Sequence, residues 1–221
     1  MIELVIFDLD GTLLNTIEDL ANSGNYILKK YGFPEHPVDS YRFFVGKGVG
    51  KLIERALPEV NRQPEFIEQL RQEFIEYYNL HSDENTAPYP GIISMLKSLE
   101  NQGIKLAVAS NKYHLGTQAL VTKYFSDIAF DVVLGQREGV PAKPDPQIVY
   151  DIMKESGISD VNTILYVGDT ATDMKTAASS GIKSIGVLWG FRPKEELVDN
   201  GAVFLVKKAE DILIKVEECS D

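Results

Sequence analysis

The fold is decided by one stretch near the start of the chain, Leu4-Val5-Ile6-Phe7-Asp8-Leu9-Asp10-Gly11-Thr12-Leu13-Leu14. Its first four residues form a continuous apolar run, which is typical of a strand that is buried on both faces. Gly11 allows the chain to turn sharply after that strand. The sequence therefore predicts that Asp8 and Asp10 lie at the carboxyl end of a core strand, with both side chains on one side.

Two carboxylates at that position repel each other. At a separation of about 4 Å the repulsion is roughly 4 kcal/mol when the effective dielectric constant is near 20. A bound cation or a retained proton must offset it, so the aspartate pair indicates a chemical site. The structural alternative is a strand that ends in an Asp-capped turn, and the motifs further along the chain make that alternative less probable.

The composition limits the classes of partner. The 221 residues are enough for one large domain, or for a core domain with a smaller insertion. A net charge of −11 disfavours nucleic acid, and no apolar run approaches the roughly 20 residues that cross a bilayer. The single cysteine, Cys219, cannot form an intrachain disulfide, and the first strand follows Met1 without a secretory signal. We expect a cytoplasmic protein without a nucleic-acid or membrane partner.

Hydrophobic periodicity divides the chain into two kinds of segment. Residues 15–84 show helical periodicity and no convincing strand. From residue 85 onward strands and helices alternate, which indicates a parallel sheet with helices on both faces. The predicted fold is therefore an α/β, Rossmann-like core of residues 1–14 and 85–221, into which an all-helical domain of residues 15–84 is inserted.

Two helix starts are predicted from capping patterns. Asn15 or Thr16 is expected to cap the first helix, with Asp19 as the capping-box partner of Thr16. Asp145 and Pro146 are expected to be the N-cap and the first residue of a later helix.

A second polar motif follows a predicted strand over residues 104–109. Ser110 and Asn111 come directly after that strand, and a helix begins a few residues later. The N–H groups and the dipole of a helix N-terminus favour phosphate, and ligands of open α/β sheets bind beyond the carboxyl ends of the strands. An ordinary polar turn before a helix is the structural alternative.

Two further segments carry charged side chains. Lys143 lies among the three prolines of residues 141–146, which hold its ammonium group with little loss of freedom on binding. Asp169 ends a predicted strand and Asp173 lies four residues on, one helical turn away. Hard oxygen ligands of this kind suit Mg²⁺. A solvated surface lysine and an acidic first turn of a helix are the structural alternatives.

These motifs together resemble the four motifs of the haloacid dehalogenase-like hydrolase superfamily, whose members transfer phosphoryl groups through an aspartyl phosphate. The resemblance extends from Phe7 to Phe191, and three segments look like the phosphoglycolate phosphatase branch, namely 44–49, 54–57 and 186–192. It implies that Asp8 is the nucleophile, that Asp10 is the general acid and base, and that Lys143 neutralises the phosphate. The implied phosphate-binding residues are Thr12, Ser110, Asn111 and Lys143, and the implied Mg²⁺ ligands are Asp8, Asp10 (through its backbone carbonyl), Asp169 and Asp173.

The function implied by the resemblance is Mg²⁺-dependent hydrolysis of a small phosphomonoester, phosphoglycolate or similar, by a monomer or homodimer. The helical insertion resembles a cap that closes over the substrate. Arg42 and Lys47 are candidate contacts for a substrate carboxylate, and a solvated position on the surface is the favoured alternative for both. A pyrophosphatase or nucleotidase, a sugar phosphomutase similar to β-phosphoglucomutase, and a non-catalytic phosphate-binding regulator are the alternatives.

Overall fold

The computed structural model of the chain describes residues 1–220. Their strands are β1 (Leu4–Phe7), β2 (Leu14–Asn15), β3 (Ala87–Pro88), β4 (Lys105–Tyr113), β5 (Val132–Gln136), β6 (Ile164–Gly168), β7 (Lys183–Val187) and β8 (Phe204–Val206). Their α-helices are α1 (Ile17–Lys30), α2 (Val38–Phe44), α3 (Gly48–Ala56), α4 (Pro64–His81), α5 (Ile92–Asn101), α6 (His114–Tyr124), α7 (Gln147–Ser156), α8 (Ala171–Ser179), α9 (Lys194–Asp199) and α10 (Asp211–Glu218). Within this part of the chain, no helix has both the length and the apolar character needed to cross a membrane.

The larger sheet confirms the predicted α/β fold. Its six strands lie in the order β5-β4-β1-β6-β7-β8, and every pair of neighbours is parallel. Strand β1 is fully buried at the centre, as its apolar sequence predicts. The chain winds to one side of β1 through β4 and β5 and to the other side through β6, β7 and β8. The carboxyl end of β1 is therefore the switch point at which α/β sheets bind ligands.

The two faces of this sheet bury separate apolar clusters. Val5 and Phe7 of β1 point to the face that contacts α5, α6 and α10. Leu4 and Ile6 point to the opposite face, where Tyr166 of β6 joins residues from α7 and α8. This alternation follows from the period of two in a strand, and it places β1 in the apolar clusters of both faces.

Helices α1 to α4 form a unit with an apolar cluster of its own, in which Tyr41, Leu52, Leu70 and Phe74 are buried. The chain enters this unit after β2 and leaves it before β3, and these two strands pair antiparallel. The entry and exit points are therefore adjacent. The boundaries of 15–84 for the insertion and of 1–14 with 85–221 for the core stay a prediction, and residue 221 lies outside the described residues.

The buried carboxylate of Asp19 joins the two ends of the helical unit. It accepts hydrogen bonds from the backbone N–H groups of Asn85 (3.0 Å) and Thr86 (2.9 Å) and from the Thr86 hydroxyl (2.7 Å). The predicted capping box of Thr16 and Asp19 is wrong, because the Thr16 hydroxyl donates to Asp10 instead. Several charge-assisted bonds to one carboxylate are stronger than a single helix cap, which explains why Asp19 faces residues 85 and 86.

Other differences between prediction and structure lie at the ends of elements. Helix α2 has only seven residues, too few for a clear helical period, and the sequence pattern did not single it out. Strand β4 continues to Tyr113 instead of ending at residue 109, with a shift of register after Ala109. Helix α7 has Pro146 as its N-cap, one residue later than predicted, although the Asp145 carboxylate still accepts from the N–H of Gln147 at 2.9 Å.

Candidate active site

The strand register brings the predicted motifs to one edge of the sheet. Phe7 of β1 lies opposite Val108 of β4 and opposite Val167 of β6. Asp8 therefore lies between the segment that follows Val108 and the segment that carries Asp169. Parallel pairing alone accounts for this convergence, since it aligns the carboxyl ends of neighbouring strands.

Three buried carboxylates meet at this edge. Asp8, Asp169 and Asp173 each offer an oxygen atom, and these atoms lie within 4.8 Å of one another. Burial, and next the charge of Asp173, raise the pKa of Asp8 well above its ordinary value. The same two causes raise the pKa of Asp169 to about 7. A cluster of hard oxygen donors with this much uncompensated negative charge fits Mg²⁺.

Lys143 supplies an ammonium group that offsets part of the charge of this cluster. Its Nζ lies 3.1 Å from Asp8 Oδ1 and donates to Asp173 Oδ1 (2.7 Å), to the Ala109 carbonyl (2.7 Å) and to the Tyr166 hydroxyl (3.0 Å). Burial alone would lower the pKa of Lys143, but Asp173 and Asp8 raise it well above its ordinary value. Lys143 therefore stays charged, and its position is fixed by four oxygen atoms.

Local backbone features fix the two aspartates of the last motif. Thr170 and Asp173 form a capping box at the start of α8, so that Asp173 Oδ2 accepts from the backbone N–H and the hydroxyl of Thr170. Asp169 Oδ2 accepts from the N–H of Phe191 at 2.7 Å. A Cβ atom at Gly11 or Gly190 would clash with Asp169, so the close approach of these loops requires glycine.

The side chain of Asp10 lies outside the carboxylate cluster. Its Oδ1 accepts from the Thr16 hydroxyl at 2.8 Å, and both of its oxygens accept from Lys112 Nζ, at 3.2 and 3.3 Å. Asp8 and Asp10 line the same cavity, but their side chains have different partners. This separation suits two carboxylates with different roles.

The predicted phosphate-binding residues have different surroundings. Ser110 lines the cavity, and its hydroxyl accepts from the N–H of Lys112 at 3.2 Å. The Thr12 hydroxyl donates to Asp169 Oδ1 at 3.2 Å, and Thr12 is not among the residues that line the cavity. The Asn111 amide accepts from the N–H of Lys143 and donates to the carbonyls of Lys143 and Gly46. Phosphate binding by these side chains stays a prediction.

The helical unit forms the opposite wall of the cavity. Its contribution consists of aliphatic side chains and glycine backbone, from Leu20, Val45, Gly46, Gly48, Val49 and Leu52. The cavity is small, with a volume of about 40 Å³. Neither Arg42 nor Lys47 lines it: Arg42 contacts Asp39 and the Gly190 carbonyl, and Lys47 is exposed. Contact of these two cations with a substrate stays a prediction.

Two residues beside the site were not identified from the sequence. Lys112 follows the Ser110-Asn111 motif directly, and its position after a strand was the only available signal. Tyr78 lies on α4, where it belongs to an ordinary apolar stripe, yet its hydroxyl accepts from Lys112 Nζ at 3.0 Å. Nothing in the pattern distinguishes Tyr78 from its neighbours, because the contact depends on how the helical unit rests on the sheet.

Comparison with known proteins agrees with this geometry. The chain is a hydrolase with an α/β core and an inserted helical unit. It belongs to the haloacid dehalogenase-like hydrolase family, whose family model matches residues 5–187. That span includes Asp8, Lys143, Asp169 and Asp173, so the match covers the whole carboxylate cluster and its lysine.

Several similar proteins share one name. The phosphoglycolate phosphatase of Mesorhizobium japonicum is 33% identical over 190 residues, which are 85% of this chain and 83% of the relative. That of Mannheimia succiniciproducens is 30% identical over 217 residues and 96% of both chains. A solved structure from Lactobacillus delbrueckii subsp. bulgaricus, named provisionally as a phosphoglycolate phosphatase, has a TM-score of 0.91 at 31% identity, and the match covers 97% of this chain and 98% of that one.

Proposed function

We propose that this protein is a Mg²⁺-dependent phosphatase that hydrolyses a small phosphomonoester, phosphoglycolate or a similar ester, through a phospho-aspartate intermediate. The observation that carries the proposal is the position of Asp8 in the cavity, with Lys143 3.1 Å away and two further carboxylates beside it. The names of the relatives support the class of substrate.

Asp8 is the proposed nucleophile. Its Oδ1 is fixed by the N–H of Leu9 at 2.7 Å and by Lys143, whereas Oδ2 accepts no hydrogen bond from residues 1–220. An oxygen without a partner in a cavity is available to attack phosphorus. The bond from this oxygen to phosphorus forms while the bond from phosphorus to the ester oxygen breaks, and the ester oxygen leaves with a proton.

Asp10 is the proposed source of that proton. It lines the same cavity, and its carboxylate is held by Thr16 and Lys112. In the second step the same carboxylate takes a proton from the water that attacks the phospho-aspartate. General acid–base catalysis of this kind contributes about 10²- to 10⁴-fold to the rate.

The residues that would hold Mg²⁺ are Asp8, Asp169 and Asp173, together with the backbone carbonyl of Asp10. When bound, the ion supplies positive charge to the phosphoryl oxygens. Both oxygens of Asp173 already accept hydrogen bonds, from Lys143 and from Thr170. Both oxygens of Asp169 likewise accept, from Thr12 and from Phe191, so these hydrogen bonds would orient the two carboxylates toward the ion.

Lys143 and Ser110 are the proposed contacts of the phosphoryl group. The ammonium of Lys143 faces Asp8, where negative charge accumulates during transfer. Asn111 connects the backbone of Lys143 to the Gly46 carbonyl of the helical unit. It can therefore position both sides of the cavity around the bound group.

The experiment is a screen of phosphate release with and without Mg²⁺, over small monoesters including phosphoglycolate, sugar phosphates, nucleotides and pyrophosphate. Mg²⁺-dependent release from small monoesters is expected, because the cavity is narrow and its outer wall is aliphatic. Release only from nucleotides or pyrophosphate would favour those alternatives. Isomerisation of a sugar phosphate without release of phosphate would establish a mutase. Retained turnover in Asp8→Asn would exclude the covalent mechanism.

A further inference from the structure

One buried lysine that lines the cavity, Lys112, contacts the proposed acid and base without itself exchanging a proton or contacting the proposed nucleophile. The side chain of Lys112 is only 3% exposed, and a buried ammonium group requires partners that offset its loss of hydration. Nζ has three acceptor contacts: Asp10 Oδ1 at 3.2 Å, Asp10 Oδ2 at 3.3 Å and the Tyr78 hydroxyl at 3.0 Å. Its charged partner is therefore the proposed acid and base, and its neutral partner belongs to the helical unit.

The backbone of Lys112 is fixed independently of its side chain. Its N–H donates to the Ser110 hydroxyl at 3.2 Å, and its carbonyl accepts from Thr117 of α6 at 3.2 Å. The ammonium group is thus carried on an anchored strand end. An anchored cation that contacts both oxygens of a carboxylate restricts the rotation of that carboxylate.

Tyr78 completes the arrangement from the other side. It is 1% exposed, and Lys112 Nζ lies 4.3 Å from the centre of its ring as well as 3.0 Å from its hydroxyl. The ring face attracts the cation and the hydroxyl accepts from it. Burial, followed by the charges of Asp10 and Asp19, raises the pKa of Tyr78 well above its ordinary value, so Tyr78 is a neutral phenol at physiological pH.

We propose that Lys112 is a positioning residue that orients the carboxylate of Asp10 toward the cavity, and that Tyr78 of the helical unit holds Lys112 in place. This inference rests on the proposed function, in which Asp10 transfers the protons. It adds that the acid–base group is fully positioned only while the helical unit contacts the core. The reacting groups on Asp8 and phosphorus do not depend on this contact.

The chain offers a matched control. Lys123 also pairs with an aspartate, Asp83, and lies 5.9 Å from the centre of a tyrosine ring, that of Tyr124, but its side chain is 51% exposed and outside the cavity. Lys123→Met therefore removes the same combination of contacts at a place where proton transfer cannot be affected. It is expected to keep wild-type kcat and KM.

The experiment compares an alkyl phosphate with 4-nitrophenyl phosphate, whose leaving group departs without a proton. Lys112→Met is expected to lower kcat for the alkyl ester about 10- to 100-fold with little change in KM. With the nitrophenyl ester the first step is expected to stay fast while hydrolysis of the phosphoenzyme slows. A burst of one nitrophenol per enzyme should then precede the steady state. Equal losses on both esters without a burst would overturn the inference.

A double substitution separates positioning from a structural role. If Lys112 acts through Asp10, Asp10→Asn with Lys112→Met should be no slower than Asp10→Asn alone. Multiplied losses would overturn the inference. Tyr78→Phe keeps the ring and removes the hydroxyl. It should lower kcat for the alkyl ester about 2- to 10-fold and again leave the first step with the nitrophenyl ester fast. An unchanged kcat would show that Tyr78 does not hold Lys112 in place. Failure of the wild-type protein to release phosphate from any ester would instead refute the proposed function itself.

Discussion

The two walls of the cavity are built from different chemistry. On the core side, charged groups are fixed by several partners each, as for Lys143 with its four oxygen contacts. On the side of the helical unit, aliphatic groups such as Val45, Val49 and Leu52 face the same space. The core wall can stabilise charge, whereas the other wall can only exclude water and set a shape. Rate and selectivity should therefore respond to substitutions on different walls.

The largest effect is expected from Asp8→Asn on the core wall. Loss of the nucleophile should lower phosphate release on the order of 10⁴-fold or more. The melting temperature should not fall, because one of three crowded buried carboxylates is removed. Phosphate release and thermal unfolding measure the two quantities. The exposed Asp127 provides the control, since Asp127→Asn should change neither, and a large fall in stability of Asp8→Asn would show that Asp8 is structural.

Asp10→Asn should have the next largest effect, a loss of about 10²- to 10⁴-fold in kcat, because the amide cannot transfer a proton. Acid quench of the reaction with ³²P-labelled 4-nitrophenyl phosphate, whose leaving group needs no proton, should reveal a larger fraction of phosphorylated protein than in the wild type. The label should be absent from Asp8→Asn. Full activity of Asp10→Asn would show that another group is the acid and base.

On the opposite wall, Val49→Ala should change selectivity more than rate. Val49 is half-buried and lines the cavity, so the truncation enlarges the space without removing charge. The ratio of kcat/KM between a bulkier ester and the smallest active ester should rise about 10-fold, the usual effect of a methylene-sized change in an apolar pocket. Val60, which is 80% exposed on the same unit, provides the control variant Val60→Ala. An unchanged ratio would show that this wall does not contact the leaving group.

The smallest effect concerns stability and pH. The pKa of Asp169 is about 7 in the folded state and 3.8 for an ordinary carboxyl group, so the folded state binds a proton that the unfolded state releases. This contribution to stability is fully present below pH 3.8 and is lost as pH rises through 7. Chelator-treated protein should therefore melt a few degrees lower at pH 7.5 than at pH 5.5.

Mg²⁺ should counteract that loss, since it replaces the proton. The increase in melting temperature on adding Mg²⁺ should be larger at pH 7.5 than at pH 5.5. Asp169→Asn should reduce both the pH dependence and the response to Mg²⁺. An equal response at both pH values would show that the cluster does not exchange protons for the ion.

The sequence predicted the core wall far better than the other wall. Asp8, Lys143 and Asp169 follow strands or stiff loops whose positions are set by parallel pairing, and pairing can be inferred from an apolar run and a turn. Tyr78 contacts Lys112, and Val49 faces the cavity, because of how the helical unit packs on the sheet. Helical periodicity gives no information on that contact. Arg42, a reasonable candidate by charge, instead binds the Gly190 carbonyl.

Asp19 shows a similar limit of local patterns. A threonine three residues before an acid fits a capping box, but the carboxylate contacts Asn85 and Thr86, over 60 positions away. The backbone N–H groups of Asn85 and Thr86 are the same kind of donor as the free N–H groups at the start of a helix. Only the three-dimensional path of the chain decides between them.

The Asp19 carboxylate also bears on how the helical unit and the core are joined. Asp19 binds the residues at which the chain leaves the helical unit. The two ends of this unit are therefore held together without a hydrogen bond from the six-stranded sheet to that carboxylate. Such a segment could be exchanged for one of different length or chemistry as long as its contacts with the catalytic edge, such as those of Tyr78 with Lys112 and of Gly46 with Asn111, are kept. The leaving group would then be interchangeable while the phosphate chemistry stays constant.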